Sequence, residues 1–299
     1  MIGFEPLSAS FGVQTSDVDL SQPLSDAVFE QLEQAFYAHQ VLALRGQQIT
    51  AAQFLAFARR LGPPQPHVID QFHHPEDPNI LILSNVRKDG QPTGLQDAGS
   101  YFHTDYSYLQ VPARATTLYS RVVPKVGGHT LFANQIAAYD DLSATMKKLI
   151  DPLLAVHHYG NRNDENEASR TVASVLNDEQ KARMPVITHR IARPHPVTGR
   201  KALYAVSGSS FGIVGMPDDE ARGLLDELAA HATQPKYRLS FRYGVGDIVV
   251  WDNAALLHSA TLTDPDDART LWRITVLEED RAAAAPAVLA PTFATDVGR

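Results

Sequence analysis

A mainly β protein, with a closed or double-sheet core and a few helices outside it, is what this sequence predicts from three observations. Short apolar or β-branched runs recur along the chain, separated by Gly, Pro, Asn and Asp. Helical periodicity is confined to four segments, and the strands around them do not read as βαβ units. No internal repeat or linker divides the 299 residues, so one domain is expected over 1–299, with residues 281–299 an Ala/Pro-rich, loosely packed tail.

Each element has a local cause. Ala27, Val28, Leu32, Ala35 and Phe36 recur at helical spacing within residues 25–39. Val41–Leu44 is a short buried strand. Thr50 with Gln53 forms a capping box that opens a helix over Ala51–Leu61, and Gly62-Pro63-Pro64 stops it. Ile80–Leu83 is a second strand, followed by the turn-rich stretch Lys88-Asp89-Gly90 and Gly94. Thr116–Val123 is β-branched and aromatic, and Gly127-Gly128 marks a turn before His129–Ala133. Ala137–Leu149 and Asp218–His231 read as helices, and polar Asn161–Ser169 as a loop. Further strands are expected at Val186–Ile191, Lys201–Val206, Tyr237–Phe241, Asp247–Trp251 and Leu271–Glu278.

Composition narrows the chemistry. Hydrophobic residues make up 44%, enough for a sizeable core. A net charge of −8 and a pI near 5.8 give no footprint for nucleic acid. The longest apolar runs are too short to span a bilayer, and the N-terminus lacks a secretory profile, so no membrane partner and a cytoplasmic location are expected. With no cysteine, any metal must be held by His, Asp or Glu.

The motif that stands out is His103-Thr104-Asp105. Residues two apart on an extended segment share a face, so the imidazole and the carboxylate can reach one ion while Thr104 points away. His258, from a distant strand, would complete the 2-His-1-carboxylate face of non-haem Fe(II) oxygenases. The bland alternative is a strand histidine beside a turn-capping aspartate. The pairs His73-His74 and His157-His158 read as surface or pocket groups, not ligands. Arg269 and Arg273 share a strand face by even spacing, and an Arg fork matches a carboxylate; pairing with Asp264, Asp266 or Asp267 on the surface is the alternative. Asp252-Asn253 reads as a turn ending its strand.

Four ordered segments carry a family resemblance: Tyr101-Phe102-His103-Thr104-Asp105; Gly127-Gly128-His129-Thr130-Leu131-Phe132; Arg193 to Tyr204 (RPHPVTGRKALY); and Trp251-Asp252-Asn253 with His258. Together they resemble the taurine dioxygenase and 2,4-dichlorophenoxyacetate dioxygenase (TauD/TfdA) family of Fe(II)/2-oxoglutarate-dependent dioxygenases, from about residue 5 to 280. The resemblance implies a double-stranded β-helix (jelly-roll) core and Fe(II) on His103, Asp105 and His258. It also implies 2-oxoglutarate and O₂ as co-substrates, consumed to succinate and CO₂ as a substrate C–H bond is hydroxylated. By the family pattern Arg269 anchors the distal carboxylate of 2-oxoglutarate, with Thr130 donating to the same group. Arg273 would lie nearer the iron, beside the bound carboxylate or an anionic group of the substrate.

For a small, anionic organic substrate the candidate contacts are Tyr106, Tyr101, Asn85 and Arg273, with Phe102, Tyr108, His74 and Phe211 behind them. Taurine-specific relatives carry an asparagine shortly before the first His ligand; here Asp97-Ala98-Gly99-Ser100 has none, and Asn161-Arg162 stands where an aromatic is expected. Both count against taurine. The same ligand set also serves biosynthetic desaturation or ring formation. A non-catalytic jelly-roll binding protein and a zinc hydrolase are the rivals of other classes. Relatives are often dimers or tetramers, so a homo-oligomer is expected.

Overall fold

The computed structural model describes residues 1–96, 99–159, 179 and 185–278. The loop expected at Asn161–Ser169, the departures at Asp97-Ala98 and Asn161-Arg162, and the tail from Arg281 lie outside the described residues.

Eight strands form the main sheet, in the order β1 (Glu5–Pro6), β2 (Val13–Thr15), β3 (Val41–Leu44), β16 (Ile248–Asp252), β8 (Ala113–Val122), β18 (Thr270–Leu277), β5 (Asp77–Ser84) and β4 (His73–His74). Among the described strands only the β2–β3 pairing is parallel. A smaller sheet orders β15 (Arg238–Phe241), β9 (Thr130–Asn134) and β17 (Leu256–Ala260), and another orders β11 (Ile187–Arg190), β10 (Leu154–His157) and β14 (Ser210–Ile213). Two-stranded pairs, β6 (Arg87–Lys88) with β7 (Gln91–Pro92) and β12 (Ala192–Pro194) with β13 (Lys201–Leu203), complete the described strands.

The period of two along the main strands sorts their side chains into two cores. Leu42, Leu44, Ile248, Val250, Ile274 and Val276 pack against α1 (Asp26–His39) and α2 (Ala51–Leu61). Their neighbours Val41, Ala43, Val249, Trp251 and Leu271 pack on the other face with Phe132, Leu256 and Phe241 of the β15–β9–β17 sheet. One face of the main sheet thus carries helices and the other carries a second sheet. The functional residues lie between the two sheets.

Local signals explain most boundaries. Ser25 accepts from Val28 N–H, and the Thr50–Gln53 capping box forms as the sequence predicts. The single helix expected over Ala137–Leu149 is instead two, α3 (Gln135–Asp140) and α4 (Ala144–Ile150). Asn134 caps the first by accepting from Ala137 N–H and Ser143 caps the second by accepting from Met146 N–H, so a second start signal interrupts the periodicity. Helix α5 (Asp218–Ala232) opens with Asp218, Asp219 and Glu220 in its first turn, where the helix dipole favours acids. The strand expected over Lys201–Val206 stops at Leu203, ahead of Ala205 with φ 47°. No helix among the described residues is long and apolar enough to cross a membrane.

Candidate metal centre and co-substrate cavity

His103 and His258 face each other as a β-bridge: each donates its backbone N–H to the other's carbonyl at 2.9 Å, and the ring centroids lie 4.2 Å apart. The segment expected to be extended is short. The chain pairs at His103, Thr104 turns its hydroxyl to Leu256 O, and Tyr106 already has φ 51°. His103 Nδ1 lies 2.9 Å from Tyr101 O; a carbonyl only accepts, so Nδ1 donates and Nε2 is the nitrogen turned toward Asp105. That Nε2 is 3.5 Å from Asp105 Oδ1, and His258 Nε2 is 3.5 Å from Asp105 Oδ2. One donor atom from each of the three lies within 4.8 Å of the others.

Aromatic rings hold the imidazoles, with Tyr101 5.0 Å from His103 and Trp251 4.6 Å from His258. Gly208 lets the chain pass behind His103: it has φ +84°, and a Cβ there would sit 2.7 Å from His103 Cβ. Gly208→Ala is therefore expected to weaken divalent-metal binding by displacing His103, which titration with Co(II) would register.

Electrostatics favour a cation. Burial raises the Asp105 pKa, but Arg273, His258 and His103 outweigh it and hold the carboxyl well below the usual range. Burial, reinforced by His103, pushes the His258 imidazole well down, so it is neutral. A carboxylate with two imidazoles is the donor set that fits a divalent metal with open positions. Arg273 Nη2 donates to Asp105 Oδ1 at 2.8 Å, so this arginine pairs with the motif carboxylate and not with a surface aspartate.

A cavity opens beside these three residues. His103, His258, Thr130, Arg269 and Arg273 line it, and Trp251, Leu83 and Leu118 supply apolar wall. Register explains the gathering. Ala260 pairs with Thr130 and His258 with Phe132, so Thr130 shares the His258 face two pairs further along. On β18, Leu271, Arg273 and Thr275 alternate with Trp272, whose ring packs against Tyr119 and His74 on the helix-bearing side. The arginine face is the inner one, a point the alternation in the sequence leaves open.

Two details place the Arg269 and Thr130 side chains. Gly128 has φ +66°, and a Cβ there would stand 3.2 Å from Arg269 Cδ, so the glycine gives the arginine its passage. Thr130 Oγ1 lies 2.7 Å from the Tyr243 hydroxyl, which burial pushes up to about 12 against the pull of Thr130 and Arg269, so it stays protonated.

Sequence and structural comparisons agree with this geometry. Residues 3–275 match the profile described as Taurine catabolism dioxygenase TauD, TfdA family. The chain belongs to the TauD/TfdA family. It is 32% identical to the alpha-ketoglutarate-dependent 2,4-dichlorophenoxyacetate dioxygenase of Cupriavidus pinatubonensis, over 92% of this chain and 97% of that protein. It is also 32% identical to the (S)-phenoxypropionate/alpha-ketoglutarate-dioxygenase of Sphingobium herbicidovorans, over 89% of this chain and 92% of the relative. Among solved structures, AAD-2 in complex with Mn(II) and N-oxalylglycine superposes with a TM-score of 0.76 at 30% identity, covering 93% of this chain and 98% of the other.

Within this TauD/TfdA chain the candidate substrate residues divide. Tyr106 is buried, donates to Gln65 O at 3.2 Å and lies under the Arg273 guanidinium, 5.6 Å from centroid to carbon. Tyr108 packs on Tyr159 at 4.7 Å, and buried His67 sits 6.0 Å from the Tyr106 ring. Tyr101 covers His103, and Phe102 lies under Arg238. Phe211 is half-buried on β14.

Two of the expected substrate contacts have other partners in the structure. Asn85 uses its side chain on the backbone, accepting from Arg269 N–H at 2.8 Å and donating to Asp267 O at 2.8 Å, so it positions Arg269. His74 lies beyond Trp272, across the sheet from the ligands, because Trp272 and Arg273 are consecutive on one strand and face opposite ways. His157 is fully buried on β10, and His73 contacts His67 O at 2.9 Å. The sequence reading missed Thr116, Tyr243, His67 and Tyr159, and read Asn253 only as a turn residue. Each is an ordinary strand or loop residue until the tertiary fold brings it to the site.

Proposed function

We propose that His103, Asp105 and His258 hold Fe(II), that Arg269 and Thr130 bind the distal carboxylate of 2-oxoglutarate, and that Tyr106 and Tyr101 border the primary substrate. The protein is a 2-oxoglutarate-dependent dioxygenase of the TauD/TfdA family, and the fold reading that goes with it is a jelly-roll core working as one domain. The observation that carries the site assignment is the shared cavity: the two histidines, Thr130, Arg269 and Arg273 converge on one space beside Asp105.

When bound, Fe(II) with 2-oxoglutarate and O₂ supplies the oxidising chemistry that hydroxylates a C–H bond and releases succinate and CO₂. The chain's own residues bind and orient. Arg269 presents a planar fork to a carboxylate, and the Thr130 hydroxyl adds a hydrogen bond to the same group. Leu83, Leu118 and Trp251 give the cavity an apolar wall, which strengthens these charge-assisted bonds relative to bulk water.

The substrate class we favour is a small aromatic acid. Tyr106, Tyr108, Tyr159 and His67 form a buried aromatic cluster beside Arg273, which lines the cavity and is paired with Asp105. Support also comes from the aryloxy acids named in the two relatives. Succinate formation with a phenoxyacetate is expected to exceed that with the neutral phenyl ether of the same ring. Equal rates would remove the anion from the specificity. We infer further a cytoplasmic homo-oligomer with no nucleic-acid or membrane partner, its size to be read by sedimentation.

A further inference from the structure

The hydrogen bonds around Asp105 all run one way, and their direction singles out residues that never touch the metal. The Asp105 carboxylate can only accept. Thr116 Oγ1 lies 2.6 Å from Asp105 Oδ2, so its single proton goes there. The Thr116 oxygen is then left as an acceptor, and two donors meet it: Asn253 Nδ2 at 3.0 Å and the Thr275 hydroxyl at 3.2 Å. Thr275 accepts in turn from Arg273 Nε at 3.2 Å, and Arg273 Nη2 closes the ring on Asp105 Oδ1 at 2.8 Å. Asn253 Oδ1 accepts from Asp105 N–H at 3.3 Å, which fixes which way the amide points.

All of these groups lie inside the protein. Thr116, Asn253 and Thr275 are 0, 1 and 2% exposed. Their places follow from register: Thr116 and Thr275 are partners across β8 and β18, and Asn253 follows β16, where Asp252 pairs with Ala115. The ring therefore hangs the carboxylate from the main sheet, while His258 projects from the facing sheet on β17. The three ligands arrive from two separate layers, and the aim of the carboxylate relative to the imidazoles has to be set by something. A threonine pair that merely filled space between strands would do as well as a valine pair. It would have no reason to point its one proton at Asp105.

We propose that Thr116, supported by Asn253, is a positioning residue for the metal site: its hydroxyl aims the Asp105 carboxylate, and metal affinity depends on it. This rests on the reading of His103, Asp105 and His258 as metal ligands. Outer hydrogen-bond partners of metal ligands typically contribute about 10–100-fold in affinity.

The test is a calorimetric titration of Co(II), alone and without co-substrate, into the full chain, with thermal melting of each metal-free protein alongside. Thr116→Val is expected to weaken Co(II) binding by about 10–100-fold. Thr116→Ser, which keeps the hydroxyl, is expected to restore it. Asn253→Ala, which removes one donor to Thr116 and the acceptor for Asp105 N–H, is expected to weaken binding in the same direction and serves if the valine variant does not fold. Wild-type affinity in both Thr116→Val and Asn253→Ala would overturn the proposal. So would a serine variant as weak as the valine one, since a packing defect would then explain the loss. His103→Ala is the separate control: if it binds Co(II) as tightly as wild type, the ligand assignment itself is wrong, whatever the Thr116 variants do.

Discussion

Asp105→Ala is expected to reduce 2-oxoglutarate turnover to background and, independently, to destabilise the fold. Turnover fails because two imidazoles without a carboxylate cannot hold a productive divalent ion. The stability loss has a different origin. Arg273, with its side chain 11% exposed, pairs with Asp105, and deleting the partner leaves a guanidinium buried without its counter-ion. Removing one member of a buried pair typically costs about 3–5 kcal/mol. The Thr116 proton would lose its acceptor as well, which adds to the cost. His103→Ala separates the two effects. Its ring is 16% exposed and its Nδ1 bonds only to Tyr101 O, so turnover should vanish with a smaller drop in melting temperature. Succinate formation retained by either variant would remove the assigned carboxylate or imidazole from the site.

Arg269→Ala is expected to act chiefly on co-substrate affinity, raising the 2-oxoglutarate dissociation constant by roughly 2–5 kcal/mol in free-energy terms. The magnitude reflects a charged, forked hydrogen-bond pair in a cavity with apolar walls, where the carboxylate would otherwise be buried unpaired. Metal binding should be nearly unchanged, because the arginine that bonds Asp105 is Arg273, whose Nη2 donates to Oδ1. Arg269→Lys should recover part of the affinity, since it keeps a charge and loses the planar fork. Titration of 2-oxoglutarate into the metal-loaded protein checks this, and an unchanged affinity would move the anchor to Arg273.

Much of this site is legible in the sequence because its chemistry is written in local spacing. His103 and Asp105 are two apart, Arg269 and Arg273 four apart, and Gly127-Gly128 sits just before Thr130; each spacing translates directly into a shared face or a turn. The strands around them are likewise local, as runs of β-branched residues. What lay beyond reach depends on register between strands far apart in the chain. Nothing near Thr116 indicates that Thr275 is its cross-strand partner or that Asn253 completes the ring. Asp252-Asn253 does form the expected turn, with Asp252 Oδ1 accepting from Ala254 N–H at 2.9 Å. Yet Asp252 also binds His195 at 2.7 Å, joining two motifs that look independent in the sequence. The choice of inner face for the arginines was hidden for the same reason. Both faces of β18 are buried, one under helices and one under a sheet, so polarity alone could not orient it.

The most direct test of the central claim is anaerobic: Fe(II) and then 2-oxoglutarate are added to the purified protein, and the visible spectrum is recorded. The account predicts a weak charge-transfer band that needs both additions, disappears in Asp105→Ala and requires far more 2-oxoglutarate in Arg269→Ala. A protein that binds Fe(II) and shows no such band at any 2-oxoglutarate concentration would contradict it.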